Sequence, residues 1–277
     1  MTSAIPEIAH ISLRGDRPEN QDRYAILEED ACCLLVLGDG LGGHPRGDVA
    51  AQILVDTCRR MWERASKPLI NPNYFLQQCA LNAHQAIVDF GIHQTPPITP
   101  RTTAVLALLQ EGECSWCHAG DSRFYLVRDE KVYLVSQDHT VANATLPKEC
   151  GDQEYSPSAI TRCLGGSAQG ATPTVGTPIP LHEGDIVLLC SDGFWNQLDE
   201  EQMVTVLHNA LPLSNALSIL GDTARENRSG QSDNVTAVGV RLARGSYGMG
   251  TRFDALDEES ELLAAIDHLT RLINKTL

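Results

Sequence analysis

The chain has 277 residues, of which 42% are hydrophobic and 21% charged, and this composition is typical of a soluble globular protein with one or two domains. Its 36 acidic residues against 21 basic ones give a formal charge of −15. That charge argues against nucleic acid or an anionic membrane as a partner, because both are bound by clustered Lys and Arg. No apolar run approaches the roughly 18 residues of a membrane span, and the N-terminus lacks a signal-peptide pattern, so a cytoplasmic location is expected.

The first half of the chain is predicted to begin with strands and to continue with helices. An apolar run that stops at Gly38-Asp39-Gly40 indicates a buried strand followed by a tight turn, and Asn71-Pro72 is a helix start signal. The predicted elements are strands at 8–13, 23–28 and 31–37 and helices at about 49–62 and 73–92.

The second half is predicted to be rich in short strands. Four apolar runs separated by turn residues indicate an antiparallel meander between 102 and 136, and the polar residues 140–160 indicate a surface loop. The series is completed by a buried strand at 185–190, helices at about 199–210 and 214–227, and a strand at 234–242. Strands and helices in this order, with few βαβ units, predict an α+β fold.

The C-terminal residues form a separate unit in the sequence. Residues 1–244 are expected to form one domain, and the Gly-rich residues 245–250 to link it to an amphipathic helix at about 257–274. Six acids lie between 251 and 277 against three bases, and the acids crowd the first half of the helix, as its macrodipole favours. The apolar face of this helix needs a partner surface, which is the body of the chain, a second copy or another protein.

The nine cysteines are scattered without a regular framework, which favours a reducing compartment and a role as small buried hydrophobes. Cys114 and Cys117 form a CxxC motif that could bind zinc or act in redox chemistry. They lie in an apolar strand-like run, however, and strand geometry would direct them to opposite faces. The zinc or redox alternative is therefore disfavoured.

Aspartates stand at the ends of several predicted strands. Asp39 and Asp192 each follow a buried strand, Asp233 precedes one, and Asp22 stands beside another. A buried acid is costly unless a cation meets it, and acids at strand ends could meet at one end of a sheet sandwich. Carboxylates and a backbone carbonyl are hard ligands that suit Mg²⁺ or Mn²⁺. A turn would explain any one Asp-Gly pair, but four acids in the same setting favour a metal site.

Residues 38–43 also match the dinucleotide-binding pattern GxGxxG. The match would place Asp39 where a pyrophosphate lies, and like charges would repel. Because the chain is not a βαβ series either, this alternative is disfavoured.

Eight motifs occur in an order that is typical of one family. They are RGDRPENQDRY (14–24), LGDGLGGHPRGDVAA (37–51), TTAVLALL (102–109), HAGDSRFYLV (118–127), SQDHT (136–140), ITRCLGG (160–166), LLCSDGFWNQL (188–198) and SDNVTAVGVRL (232–242). Over about residues 8–243 the chain resembles the PP2C (PPM) family of metal-dependent protein serine/threonine phosphatases, in its compact bacterial form. The resemblance implies an α-β-β-α sandwich, two antiparallel sheets flanked by helices, with a metal centre in a cleft at one end.

The resemblance also implies a role for each acid. Asp39 corresponds to the carboxylate that bridges two metal ions, and Gly40 to the residue that gives its carbonyl to one of them. Asp192 and Asp233 correspond to the acids that complete the shell of the first ion. Asp22 corresponds to the acid that holds the second ion, in part through water.

Two further residues are implied in the site. Arg17 corresponds to the arginine that grips phosphate oxygens with its fork. Asp121 resembles a ligand of a third, weaker ion shared with Asp192, although a hairpin turn would explain it equally well. The implied cofactors are Mn²⁺ or Mg²⁺, with two ions in the main site and the weaker third ion as the open alternative at Asp121.

The implied reaction is hydrolysis of phosphoserine and phosphothreonine in proteins by a hydroxide that bridges two ions, with Arg17 and Asp39 as catalytic residues and a Ser/Thr kinase as the opposing enzyme. Two alternatives stay open: a pseudophosphatase that only binds, which would be expected to have lost some of these acids, and a hydrolase of small phosphoesters. Some eukaryotic members carry a histidine, proposed as general acid, where this chain has Leu41. Structural or positioning roles are expected for His44, His118, Asp138, His139 and Arg162.

Overall fold

The computed structural model describes residues 6–144, 156–167, 171–243 and 246–248. The predicted C-terminal helix at 257–274 lies outside the described residues, as do most of the predicted linker and the middle of the predicted loop at 140–160.

Within the described ranges, the predicted helices and long strands are all present, with bounds shifted by a few residues. The elements of the first half are β1 Glu7–Leu13, β2 Arg23–Glu29, β3 Cys32–Gly38, α1 Gly47–Arg64, α2 Pro72–Ile92, β4 Arg101–Thr102 and β5 Ala104–Gln110. Those of the second half are β6 Glu113–Ala119, β7 Arg123–Arg128, β8 Lys131–Val135, β9 Leu164–Gly165, β10 Thr174–Val175, β11 Ile179–Pro180, β12 Ile186–Cys190, α3 Asp192–Trp195, α4 Glu200–His208, α5 Leu213–Glu226 and β13 Val235–Arg241.

The long strands form two antiparallel sheets. One has the order β1-β13-β12-β7-β8, and the other has the order β10-β6-β5-β3-β2, with β11 also paired to β6. The short strands β4 and β9 pair with each other. No described helix has both the length and the apolar character needed to cross a membrane.

Alternate side chains of β3 enter two different cores, which explains why this strand is apolar along its whole length. Cys33, Leu35 and Leu37 pack between the two sheets. Leu34 and Val36, on the opposite face, pack under α1 and α2. The other sheet is covered in the same way, because α5 packs on β1 and β13 while α4 packs beside it. The predicted α-β-β-α sandwich is confirmed.

The helices α2 and α4 each begin at a side chain that caps the first turn. Asn71 accepts a hydrogen bond from the backbone N–H of Tyr74 at 3.0 Å, with Pro72 in the first turn of α2. Asp199 accepts from the N–H groups of Glu201 and Gln202 at the start of α4. These caps satisfy N–H groups that have no partner inside the helix.

The predicted meander is wrong in its pairing. The strands β5 and β6 pair in one sheet and β7 and β8 in the other, and β6 does not pair with β7. The chain crosses between the sheets at Gly120, whose φ of 114° is open to glycine and strained for other residues. The short helix α3 was not predicted, because one turn gives no periodicity to recognise.

The CxxC cysteines are separated as expected. Cys114 packs in the core between the sheets and Cys117 in the core under α2, and both are fully buried and unpaired. They therefore lie on opposite faces of β6, which disfavours a shared zinc or disulfide.

Candidate metal centre

The predicted acids meet because of strand pairing. Arg23 pairs with Gly38 across β2 and β3, so the residues just outside these ends, Asp22 and Asp39, are neighbours. In the other sheet, the end of β12 precedes Asp192, and the start of β13 follows Asp233. Antiparallel neighbours thus bring residues from distant parts of the sequence to one end of the sandwich.

The backbone of Asp39 is held on both sides by threonines. Its N–H donates to Oγ1 of Thr103 at 2.9 Å, and its carbonyl accepts from the N–H of Thr103 at 2.8 Å and from Oγ1 of Thr102 at 2.9 Å. The N–H of Leu41 donates to the carbonyl of Arg101. None of these four hydrogen bonds uses the carbonyl of Gly40.

Gly40 occupies a position that only glycine fits. A Cβ placed there would lie 2.4 Å from the backbone of Gly47, the first residue of α1. The turn after β3 therefore runs directly against the start of α1.

Asp22 lies behind Asp39 and is only 3% exposed. Its Oδ2 accepts a hydrogen bond from Oγ of Ser191 at 2.9 Å, and Oγ of Ser191 in turn accepts from the N–H of Thr236. The charges of Asp22 and Asp192 add to the effect of burial in raising the pKa of Asp39.

Asp233 is paired with Arg17. A guanidinium N–H of Arg17 donates to Oδ2 of Asp233 at 2.6 Å, and Oδ1 of Asp233 accepts from the N–H of Asn234 at 2.8 Å. The side chain of Arg17 is half exposed at 51%. The contact to Asp233 occupies one of its five N–H groups and leaves others available at the mouth of the site.

Asp121 lies where the chain crosses between the sheets. Its backbone carbonyl accepts a hydrogen bond from Nε1 of Trp195 at 2.9 Å, which ties this crossing to α3. Burial, followed by the charge of Asp192, raises the pKa of its carboxyl.

A cavity of about 260 Å³ opens at this end of the sandwich. The predicted site residues that line it are Arg17, Asp39, Gly40, Asp121, Asp192 and Asp233. Asp22 does not line it. Gln21 and Asn234 do, and sequence reasoning missed both, although each stands beside a predicted acid within a quoted motif.

Burial and mutual repulsion raise the pKa values of the clustered acids. Burial raises the pKa of Asp39 well above its ordinary value, and the charges of the surrounding aspartates raise it further. Burial likewise raises the pKa of Asp22 to about 6 and that of Asp121 to about 7. The hydrogen bond to Asp233 raises the pKa of Arg17, which therefore stays a cation.

The donor set fits hard divalent cations. Oδ1 of Asp22 and Oδ1 of Asp192 are buried without a hydrogen-bond partner, which is costly for a carboxylate and is what a bound cation relieves. In the described part of the chain, no three His, Cys, Asp or Glu side chains are already arranged to hold a metal ion. Asp233 is instead turned to Arg17 and Asp22 to Ser191, so ligation requires these contacts to be exchanged.

Four of the residues expected to be structural, His118, Asp138, His139 and Arg162, line a second cavity of about 370 Å³. His118 is buried, and its Nε2 contacts the carbonyl of Gln137 at 2.9 Å. Both oxygens of Asp138 accept from Arg123 at 2.8 Å. His139 stacks on His118 with ring centroids 4.3 Å apart, and Arg162 is exposed.

A family model described as protein phosphatase 2C matches residues 13–218 of this chain. The chain belongs to the protein phosphatase 2C family. The serine/threonine phosphatase stp of Listeria innocua is 26% identical over 241 residues, which cover 83% of this chain and 94% of the relative. The family comprises metal-dependent protein serine/threonine phosphatases that use Mn²⁺ or Mg²⁺, and this chain is such an enzyme, with phosphoproteins as substrates.

Solved structures of PP2C phosphatases share the fold. A serine/threonine phosphatase of S. agalactiae superposes with a TM-score of 0.72 at 26% identity, covering 86% of this chain and 100% of that one. The catalytic domain of the phosphatase PstP, in complex with two manganese ions, gives a TM-score of 0.68 at 24% identity, covering 86% of this chain and 98% of that one.

Proposed function

We propose that the cavity at the end of the sandwich is where this phosphatase removes phosphate from phosphoserine and phosphothreonine. The observation that carries the proposal is the convergence of Arg17, Asp39, Asp121, Asp192 and Asp233 on one cavity. These residues come from five separate places in the sequence, and no single turn requirement accounts for their meeting.

The aspartates would hold two Mn²⁺ or Mg²⁺ ions. Asp39 and the carbonyl of Gly40, which takes no part in the hydrogen bonds to Thr102 and Thr103, would be among the ligands that hold these ions. Asp192 and Asp233 would bind the first ion, and Asp121 would share a third, weaker ion with Asp192. When bound, such a pair of ions offsets the charge of a phosphate dianion and supplies a hydroxide nucleophile near neutral pH.

Asp22 would support the metal ions from behind the residues that line the cavity. Because Asp22 does not line the cavity, its support for the second ion would be indirect, through water. Its buried partner Ser191 fixes its orientation. A second layer of this kind raises the basicity and fixes the direction of the ligands in front of it.

Arg17 would hold the phosphate. It lies at the mouth of the cavity with free N–H donors, and a guanidinium can grip two phosphate oxygens at once. Those oxygens gain charge in the transition state, so the grip also lowers the barrier. In this chain Leu41 lines the cavity where a histidine acid is found in some relatives, and no protein acid is assigned to the leaving serine or threonine oxygen.

We also propose a biological role for this phosphatase, namely opposition to a protein kinase in the cytoplasm. A phosphatase of this family would reverse a serine/threonine kinase of the same cell, because phosphoserine and phosphothreonine arise by such kinases. A cytoplasmic location is supported by the free thiols of the eight described cysteines.

The proposal is tested with a phosphoserine peptide and an aryl phosphate. Wild-type protein should hydrolyse both with Mn²⁺, and excess EDTA should abolish both activities. Asp39→Asn should lose at least about 100-fold in kcat/KM with its fold intact, whereas Asp199→Asn, which keeps a good helix cap on α4, should retain full activity. Near-normal turnover of Asp39→Asn would exclude this aspartate from the site.

The substrate class needs a separate comparison. If small phosphoesters were the true substrates, a phosphopeptide would compete poorly with them under identical conditions. We expect the phosphopeptide to have the higher kcat/KM.

A further inference from the structure

Three arginines on α1 have no acidic partner. Arg59, Arg60 and Arg64 are all exposed, and no carboxylate in the described ranges forms an ion pair with any of them. Arg60 donates only to Oγ1 of the neighbouring Thr57, at 3.0 Å. In a chain with a formal charge of −15, this unpaired cationic cluster favours an acidic occupant.

Two of these arginines, Arg60 and Arg64, line a groove on the outer surface of the helix layer. A depression of about 300 Å³ between α1 and α2 is lined by Thr57, Arg60, Met61, Arg64, Asn82 and Ala86. We call it the α1–α2 groove. Two of the lining residues are arginines, and two others, Met61 and Ala86, are apolar. The groove thus combines cationic side chains with an apolar surface.

The described chain ends near this groove. The carbonyl of Tyr247 accepts from the N–H of Gly112, and its hydroxyl donates to Glu28 at 3.0 Å. The next residue, Glu29, forms an ion pair at 2.6 Å with Lys67, three residues after the end of α1. The eight residues 249–256 can span at most about 26 Å, so they can bring the following segment to the end of α1 that carries Arg64.

The C-terminal segment has the complementary chemistry. Leu262, Leu263, Ile266, Leu269 and Ile273 recur at helical spacing. The acids of the segment are Asp254, Asp257, Glu258, Glu259, Glu261 and Asp267. An amphipathic helix of this kind binds a groove by its apolar stripe, and flanking charges set its position.

We propose that residues 257–274 dock as a helix in the α1–α2 groove of the same chain, with acids facing Arg60 and Arg64 and the apolar stripe over Met61 and Ala86. The helix α1 runs about 27 Å from its start beside Gly40 to Arg64. The docked segment therefore covers the end of the helix layer that is remote from the metal centre and leaves the cavity open.

Hydrogen exchange of the full-length protein, read by mass spectrometry, tests the docking without using activity. Backbone amides in 257–274 should exchange at least about tenfold more slowly in wild type than in Arg60→Glu/Arg64→Glu. The control Lys131→Glu/Arg228→Glu makes the same charge change at exposed positions outside the groove and should keep wild-type protection. Adding Glu258→Arg/Glu261→Arg to the groove variant should restore protection.

Three results would overturn the proposal. Protection in 257–274 that is the same in wild type and in the groove variant would place the segment elsewhere. Protection that disappears on tenfold dilution would show docking on a second copy. Exchange of the wild-type segment at the rate of an unstructured peptide would show that it docks on no part of the chain.

Discussion

One arginine partly balances the carboxylates of the cavity. Arg17 pairs with Asp233 at 2.6 Å, while burial and the charges of the neighbouring aspartates raise the pKa of Asp39. Asp233 would therefore have to exchange this contact to serve as a metal ligand, and the guanidinium of Arg17 would then be available to phosphate oxygens.

Arg17→Ala should weaken phosphate engagement and leave metal binding intact. A bidentate contact of this type contributes about 2–4 kcal/mol, so kcat/KM toward an aryl phosphate should fall by roughly 30- to 1000-fold. Mn²⁺ affinity by calorimetry should stay unchanged or rise, because Asp233 loses a competing cation. Arg228→Ala, at an exposed position, should leave both quantities unchanged. Loss of Mn²⁺ binding in Arg17→Ala would make Arg17 a structural residue.

His139 should make folding sensitive to mild acid. Its Nδ1 accepts from the N–H of Gly120 at 3.2 Å, and burial, with the charges of His118 and Arg162, lowers its pKa to about 4. An unfolded histidine titrates near 6.5, so the stability contributed by neutral His139 is present above about pH 6.5 and is lost as the pH falls toward 4.

Urea unfolding of metal-free protein between pH 7 and 4.5 measures this effect. His139→Asn keeps an acceptor near Gly120 but does not titrate, so its free energy of unfolding should fall less steeply with acid than that of wild type. The aspartates of the cavity titrate in both proteins, and the difference between the two slopes isolates His139. Equal slopes would contradict the assignment.

A site residue could be predicted where a charged side chain stands directly beside a buried apolar strand. Asp39 and Asp192 stand at the ends of strands that are buried on both faces, and this conflict is visible in the sequence. The pairing of Arg17 with Asp233 and the position of Asp22 behind the cavity were not predictable, because both depend on loop paths that bring together residues more than 150 positions apart.

Individual strands were predictable, but their partners were not. Alternation and turn residues locate β5, β6, β7 and β8 to within a few positions. They do not show that the chain leaves one sheet and enters the other after β6, because a hairpin turn and a crossing between sheets use the same residue types. The pairing is decided by burial of both faces, which is a property of the assembled sandwich.

At the opposite end of the first sheet, a buried ion pair joins β7 to β12. Arg128 donates from two nitrogens to both oxygens of Asp185, at 2.7 and 2.6 Å, and the side chain of Asp185 is 1% exposed. Arg128→Ala leaves this carboxylate buried without a charge partner, which should lower the free energy of unfolding by about 3 kcal/mol.

An exposed ion pair serves as the control for the stability loss expected in Arg128→Ala. Arg225 and Asp222 are 3.2 Å apart and about half exposed, so Arg225→Ala should cost less than about 1 kcal/mol. Urea unfolding gives both values, and kcat/KM at 25 °C should be unchanged in Arg128→Ala because the pair is remote from the cavity. Equal losses in the two variants would show that burial of the Arg128 pair adds nothing.

In the whole molecule, stability and catalysis are located at different ends of the sandwich. The strand ends that carry the aspartates converge on the cavity, whereas Arg128, Tyr247 and the α1–α2 groove lie away from it. Substitutions at the cavity end should therefore change turnover more than folding, and substitutions at the other end should do the reverse.

The boundary predicted after residue 244 stays a prediction, and two truncations test it. Tyr247 is 6% exposed and packs in the core between the sheets. A chain that ends at Gly248 should keep aryl phosphatase activity within about threefold, a difference of less than 1 kcal/mol in barrier. A chain that ends at Arg244 loses Tyr247 as well, so its free energy of unfolding should be lower by about 3 kcal/mol, with similar turnover while it remains folded. Loss of turnover in the folded chain that ends at Gly248 would instead show that residues 249–277 brace the catalytic cavity.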